Sequence, residues 1–150
     1  MSTVDRAIQI AVEAHQGQKD KAGAPYILHP LRVMLRMETE EQMMAAVLHD
    51  VVEDSSWTLT DLRQEGFPEQ VIEAVDYLSR RDSETYDEFI DRIKGSSLAI
   101  RVKLADLEDN MDLKRVKKVT DKEKERMMKY HAAWCNLKGV LPNQNKREIL

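Results

Sequence analysis

Ala46-Val47-Leu48-His49-Asp50-Val51-Val52-Glu53-Asp54 is the stretch from which the rest of the chain can be read. It sets four side chains able to bind metal or move protons into a segment that otherwise reads as a buried helix. Winding at about 100° per residue from His49 at zero puts Glu53 near 40°, Asp50 near 100° and Asp54 near 140°. Val47, Val51, Leu48 and Val52 fall between about 160° and 300°, so an apolar face adjoins a compact polar one. Ala46 sits among the polar four. A solvated helix in a chain this charged would carry basic residues among its acids, yet no Lys or Arg occurs from Thr39 to Trp57. Three crowded carboxylates repel one another unless a cation lies between them, and a metal ion is the simplest candidate. The bland alternative is an acidic, solvated helix end.

The chain has 150 residues, which suits one domain, 1–150, around one core. Hydrophobic residues at 42% and charged residues at 33% point to a globular chain rather than a disordered one. A formal charge of −4 argues against a general nucleic-acid binder. Cys135 is the single cysteine; it can make no internal disulfide, and a lone thiol is ordinary in a reducing cytoplasm. Met1 to Ala14 carries Asp5, Arg6 and Glu13 and reads as neither signal peptide nor anchor. No run approaches a membrane span. A cytoplasmic protein with no membrane or nucleic-acid partner is expected, its oligomeric state open.

Five glycines and four prolines punctuate a chain with little strand-like alternation, so the expected fold is all-α. Helices are expected over Thr3 to His15, Leu31 to Met37, Thr39 to about Asp54, Thr58 to Glu65, from Pro68, around Tyr86 to Ile93, over Leu98 to Leu113, and over Asp121 to Lys138. Thr39 and Thr120 each open a helix with capping-box spacing. His29, before Pro30, is expected at the N-cap position or beside it. The loop from Gln18 to Leu28 brings Lys19 and Lys21 near Tyr26, as a phosphate-binding rim would, although loop lysines are commonly solvent decoration. The tail from Gly139 is expected to pack loosely.

Asp106 lies in the apolar run of the Leu98 helix, and a buried carboxylate needs a cationic partner. Lys103 and Asn110 project near the same side. A buried salt bridge accounts for Asp106 as well as a metal role does. Taken together, His29, His49, Asp50 and Asp106 offer four nitrogen and oxygen donors from three helices and no sulfur. That set favours manganese, iron, cobalt or zinc, and an ion with open positions marks a catalytic site.

His29, His49-Asp50 and Asp106 on an all-helical chain resemble the HD superfamily of metal-dependent phosphohydrolases, a helical bundle of about seven to eight helices. Ala14-His15-Gln16-Gly17-Gln18, Gly23-Ala24-Pro25-Tyr26-Ile27-Leu28-His29-Pro30, Leu48 to Asp54, and Val102-Lys103-Leu104-Ala105-Asp106 with Asn110-Met111 are similar to the hydrolase domain of bifunctional (p)ppGpp synthetase/hydrolases and to the small stand-alone alarmone hydrolases. The resemblance spans about Ala7 to Leu137. It implies a divalent metal, usually manganese, on His29, His49, Asp50 and Asp106, and water activation by Glu53 and Asp54. It implies nucleotide contacts from Lys21, Asn110, Arg126 and Tyr130, with Lys103 helping to neutralise phosphate. The implied reaction releases pyrophosphate from the 3′ position of guanosine 3′,5′-bis(diphosphate), in a chain too short for a synthetase half. Two positions depart from the family's usual pattern: Asp20-Lys21 stands for Arg-Lys, and Asp106-Leu107-Glu108-Asp109-Asn110 for Asp-Arg-Leu-His-Asn. The first puts an acid where a cation is usual. Hydrolysis of another nucleotide, a 5′-monophosphate or dinucleotide cofactor, and a catalytically silent metal- or nucleotide-binding module are the alternative readings.

Overall fold

The computed structural model describes residues 2–141. Its regular structure is helical throughout: α1 Val4–His15, α2 Leu28–Leu35, α3 Glu40–Leu48, α4 Val51–Asp54, α5 Leu59–Gln64, α6 Glu69–Leu78, α7 Tyr86–Ile93, α8 Ser97–Asn110 and α9 Asp121–Lys138, with a 3-10 turn at Leu113–Arg115. The fold class is the expected one. Among the described residues the count is nine rather than eight because the helix read as continuous from Thr39 divides at His49-Asp50. No helix among the described residues is long and apolar enough to cross a membrane.

Side-chain caps set most of the starts, though not those of α2, α4 and α6. Thr3, Thr58, Thr85, Ser96 and Thr120 each accept a backbone N–H at the head of a helix. Thr39 forms a full capping box with Gln42. At Thr120 only half of the expected box forms, because the Glu123 carboxylate turns to Arg126 at 2.6 Å. Gly17 ends α1 at φ +79°, a conformation strained for a residue with a Cβ. His29 is not a cap: Ile27 is, and His29 is the second residue of α2. Expected looseness from Gly139 can be followed only to Leu141, which packs on the core; the rest of that tail lies outside the described residues.

α3 runs through the middle of the molecule, with α1, α2, α6 and α8 around it. Ala45, Ala46, Val47 and Leu48 are fully buried, so apolar atoms surround this helix rather than line one face. α8 is the second internal helix, burying Ile100, Val102, Leu104 and Leu107. Burying side chains of this size stabilises the fold by about 1.5–3 kcal/mol each. The polar end of α3 is therefore carried into the interior by its own apolar residues.

Candidate metal centre and adjoining cavity

Three elements meet at the buried end of α3. The His49 ring explains why the helix breaks there. Its Nδ1 lies 2.5 Å from the Ala46 carbonyl, which also receives the His49 amide in a tight turn. Asp50 then adopts φ −103°, ψ −2° and begins α4. His29 comes from α2, and Asp106 from α8.

The donor atoms of His29, His49 and Asp50 all lie within 4.8 Å of one another. Asp106 sits at the edge of this group. Its Oδ1 is 2.8 Å from His29 Nε2 and 3.5 Å from His49 Nε2, while its Oδ2 takes a 2.8 Å bond from Lys103 Nζ. Asp50 Oδ2 lies 3.0 Å from His49 Nε2 and accepts the Tyr26 hydroxyl. Both imidazoles are buried, and each Nδ1 faces an oxygen acceptor, Asp109 Oδ2 for His29 and the Ala46 carbonyl for His49. Each Nδ1 therefore carries a hydrogen, and each Nε2 is left facing carboxylate. Among the described residues His49 Nε2 is buried without a well-formed hydrogen bond despite its nearness to Asp50. In the charged imidazoles a proton on Nε2 meets these carboxylates, and a bound cation would take that proton's place. The donor set, nitrogen and oxygen without sulfur, suits a borderline divalent ion.

The electrostatics of the group follow from burial and neighbours. Burial pushes the Asp106 carboxyl up, but Lys103 and the two histidines outweigh it and hold the group well below the usual range. Burial would discharge His49, yet Asp50 and Asp106 raise its pKa well above the ordinary value. Tyr26 is raised by burial and by Asp50, so it stays a hydroxyl donor.

Glu53 and Asp54 stand beside this group on α4. Glu53 accepts the Arg80 backbone N–H and lines the cavity over the imidazoles; Asp54 lines an adjoining cleft with Glu53 and Arg80. The Arg80 turn is stiff, since Arg92 grips Glu84 at 2.7 and 3.0 Å and donates to the Ser79 carbonyl at 2.8 Å. Both carboxylates reach solvent, but partial desolvation and the Asp50 charge raise their pKa values, Asp54 to about 6. Among the described residues neither group has a cation bonded to it.

The cavity over the imidazoles, about 280 Å³, shares Tyr26, Asn110 and Tyr130 with a larger one of about 490 Å³. The larger cavity is rimmed by Lys19, Lys21, Arg115, Lys117, Lys118 and Arg126. Of the residues expected to contact substrate, Lys21, Asn110, Arg126 and Tyr130 line it. Lys103 instead lines the smaller one, and both Lys103 and Asn110 bond Asp106, Asn110 at 3.1 Å. Asp20 does not project a free charge into the rim. Its Oδ1 accepts the Ala22 and Ala24 amides at 2.9 Å each, and its Oδ2 faces Arg115 at 3.4 Å.

Asp109 and Arg115 are prominent here and were not singled out as site residues from sequence. Asp109 carries a legible signal, a second acid one turn from Asp106 in an apolar helix. Arg115 carries none, since its approach depends on the turn after α8.

The chain matches the HD domain family model over residues 7–106. It is 36% identical to a Streptomyces coelicolor protein named GTP pyrophosphokinase, over 81% of this chain and 16% of that one. It is 30% identical to an Aquifex aeolicus guanosine-3′,5′-bis(diphosphate) 3′-pyrophosphohydrolase, over 97% of this chain and 23% of the relative. This chain therefore spans less than a quarter of the length of these curated relatives. A solved structure described as a metazoan ortholog of SpoT that hydrolyzes ppGpp superposes with a TM-score of 0.76 at 28% identity, covering 93% of this chain and 88% of that one.

Proposed function

The chain belongs to the HD domain family, and on that footing we propose that it is a metal-dependent phosphohydrolase releasing pyrophosphate from the 3′ position of guanosine 3′,5′-bis(diphosphate). The observation that carries the reading is that the two cavities adjoin, with Tyr26, Asn110 and Tyr130 in the walls of both. A buried donor group, with an imidazole nitrogen that has no hydrogen-bond partner among the described residues, lies beside a pocket lined by six Lys and Arg side chains together with Asp20 and Glu123. A nucleotide with phosphates at both ends of its ribose can reach the first while resting in the second.

His29, His49, Asp50 and Asp106 would hold the ion, for which manganese is the family's usual choice. When bound, such an ion supplies positive charge that acidifies water and draws electron density from a phosphoryl oxygen. Lys103 keeps Asp106 ionised and turned toward the imidazoles. Glu53, held by the Arg80 amide, takes the proton of the attacking water as its oxygen bonds to phosphorus. The bond from phosphorus to the 3′ oxygen breaks, and that oxygen takes up a proton as pyrophosphate departs. Asp54, with its raised pKa, is suited to pass the proton on. Lys21 and Arg126 offset phosphate charge from the larger cavity. On this reading the protein degrades the nucleotide signal of the stringent response.

The test is a product assay. Protein with Mn²⁺ is incubated with ppGpp, and separately with nucleoside monophosphates and NADPH, and pyrophosphate is resolved from orthophosphate. Pyrophosphate from ppGpp, abolished by His49→Ala, is expected. Orthophosphate from another nucleotide with ppGpp untouched would transfer the same chemistry to a different substrate. No turnover of any of them, with Mn²⁺ bound, would leave a binding module.

A further inference from the structure

We propose that Asp109 is a positioning residue serving both ends of the site: its carboxylate orients His29 toward the metal and tethers Arg115 at the nucleotide cavity. The inference rests on the reading of the site as a metal-dependent nucleotide hydrolase.

Asp109 is 1% exposed, one turn beyond Asp106 on α8. Its Oδ2 lies 2.6 Å from His29 Nδ1 and 2.8 Å from Arg115 Nη1. Its Oδ1 accepts Arg32 Nε at 2.8 Å, with Arg32 Nη2 3.2 Å from Oδ2. The arginines hold the carboxylate in one orientation, and that orientation is the one in which the His29 N–H meets it. An imidazole donating from Nδ1 to an anion keeps its lone pair on Nε2, and the anion makes that nitrogen a stronger donor to a metal. His29 Nε2 is the atom facing Asp106 and the donor group. A salt bridge built only for stability would be satisfied by Arg32 and would need no metal-facing histidine.

The other end is equally determined. Arg115 Nη1 is committed to Asp109 twice, at the carboxylate and at the backbone carbonyl 3.0 Å away, and to Asn110 Oδ1 at 3.2 Å. Its Nη2 faces Asp20. These bonds fold the 3-10 turn back over α8 and place the guanidinium in the wall of the larger cavity. One carboxylate therefore sets a metal-facing nitrogen and a cavity cation together.

The experiment compares wild type, Asp109→Asn and Arg115→Ala, each checked for folding by thermal denaturation. Mn²⁺ is titrated alone and followed by electron paramagnetic resonance, and KM is measured for ppGpp. Asp109→Asn is expected to bind Mn²⁺ about 10–100-fold more weakly and to raise KM. Arg115→Ala is expected to raise KM with wild-type Mn²⁺ affinity. Wild-type Mn²⁺ affinity in folded Asp109→Asn overturns the proposal, as does an unchanged KM in Arg115→Ala. Should Asp109→Asn fail to fold, nitrogen-15 spectra of Zn²⁺-loaded wild type decide: the His29 proton is expected on Nδ1, and a proton on Nε2 overturns the assignment. Mn²⁺ titration and tautomer need no substrate, so failure to hydrolyse ppGpp would sink the substrate reading and leave the role of Asp109 separately decided.

Discussion

Two pairs of acids flank the same buried histidines and are treated in opposite ways. Asp106 and Asp109 are both nearly inaccessible, and both are held far below the ordinary carboxylate range. Glu53 and Asp54 reach solvent, and both are raised. Burial alone would order the pairs the other way, since removing water disfavours charge. Cations reverse the order. Lys103, His29 and His49 surround Asp106, and His29, Arg32 and Arg115 surround Asp109. The α4 pair has Asp50 for a neighbour and, among the described residues, no bonded cation; a backbone amide meets Glu53, and Lys103 and His49 act on it only from a distance. Permanent anions suit the holding of a cation and its ligands, whereas acids poised nearer neutrality suit the transfer of protons.

The largest effect is expected from breaking the permanent pair. Asp106→Ala leaves Lys103 and two imidazoles without their counter-charge in the interior, and removing one partner of a buried ion group costs about 3–5 kcal/mol. Urea denaturation should register that loss, and Mn²⁺ titration should show binding gone. A stable variant that still binds metal and turns over would dissolve the distinction between the pairs.

Next comes the exchangeable pair. Glu53→Gln should lower kcat by about 10²–10⁴-fold, the usual worth of a positioned proton acceptor, with Mn²⁺ affinity and melting temperature kept. Loss of metal along with activity would move Glu53 into the ligand group.

Asp54 sharpens the contrast through pH. In metal-free protein its carbon-13 carboxyl signal should titrate near pH 6, and added Zn²⁺ should move that midpoint down. Since the folded group holds its proton to higher pH than the unfolded one, the folded chain binds more protons between the ordinary carboxylate range and pH 6. Stability from Asp54 is thus present at acid pH and is lost as pH rises through that window; Asp54→Asn should flatten this part of the curve. A midpoint near 4 would place Asp54 with the permanent anions.

The smallest effect belongs to exposed charge. Lys117→Ala or Lys118→Ala should raise KM by about 1.5–5-fold, equivalent to roughly 0.2–1 kcal/mol for an exposed ion contact, and added salt should shrink the difference. A tenfold or greater rise would show that this rim is as desolvated as the interior.

Much of this was legible in the chain. Apolar spacing located the helices, Thr39 and Thr120 started theirs as capping chemistry requires, and the absence of basic residues around His49 pointed to a cation from elsewhere. The break after Leu48 was not legible, because helical spacing carries on through it. It arises when the His49 ring bonds the Ala46 carbonyl, a matter of side-chain rotamer that no periodicity records. Asp20 is a related case. Its charge suggests opposition to phosphate, yet two backbone amides and Arg115, from opposite ends of the chain, occupy it.

By itself the sequence determined the helical class, the burial of α3 and α8, and the chemical kind of donor gathered at their ends, because these depend on side-chain type and local spacing. Tertiary structure decided which imidazole nitrogen faces inward and which acids stay charged. His29 meets Asp109 across 80 residues of chain, and a tautomer or a pKa is a property of the neighbours that folding brings near.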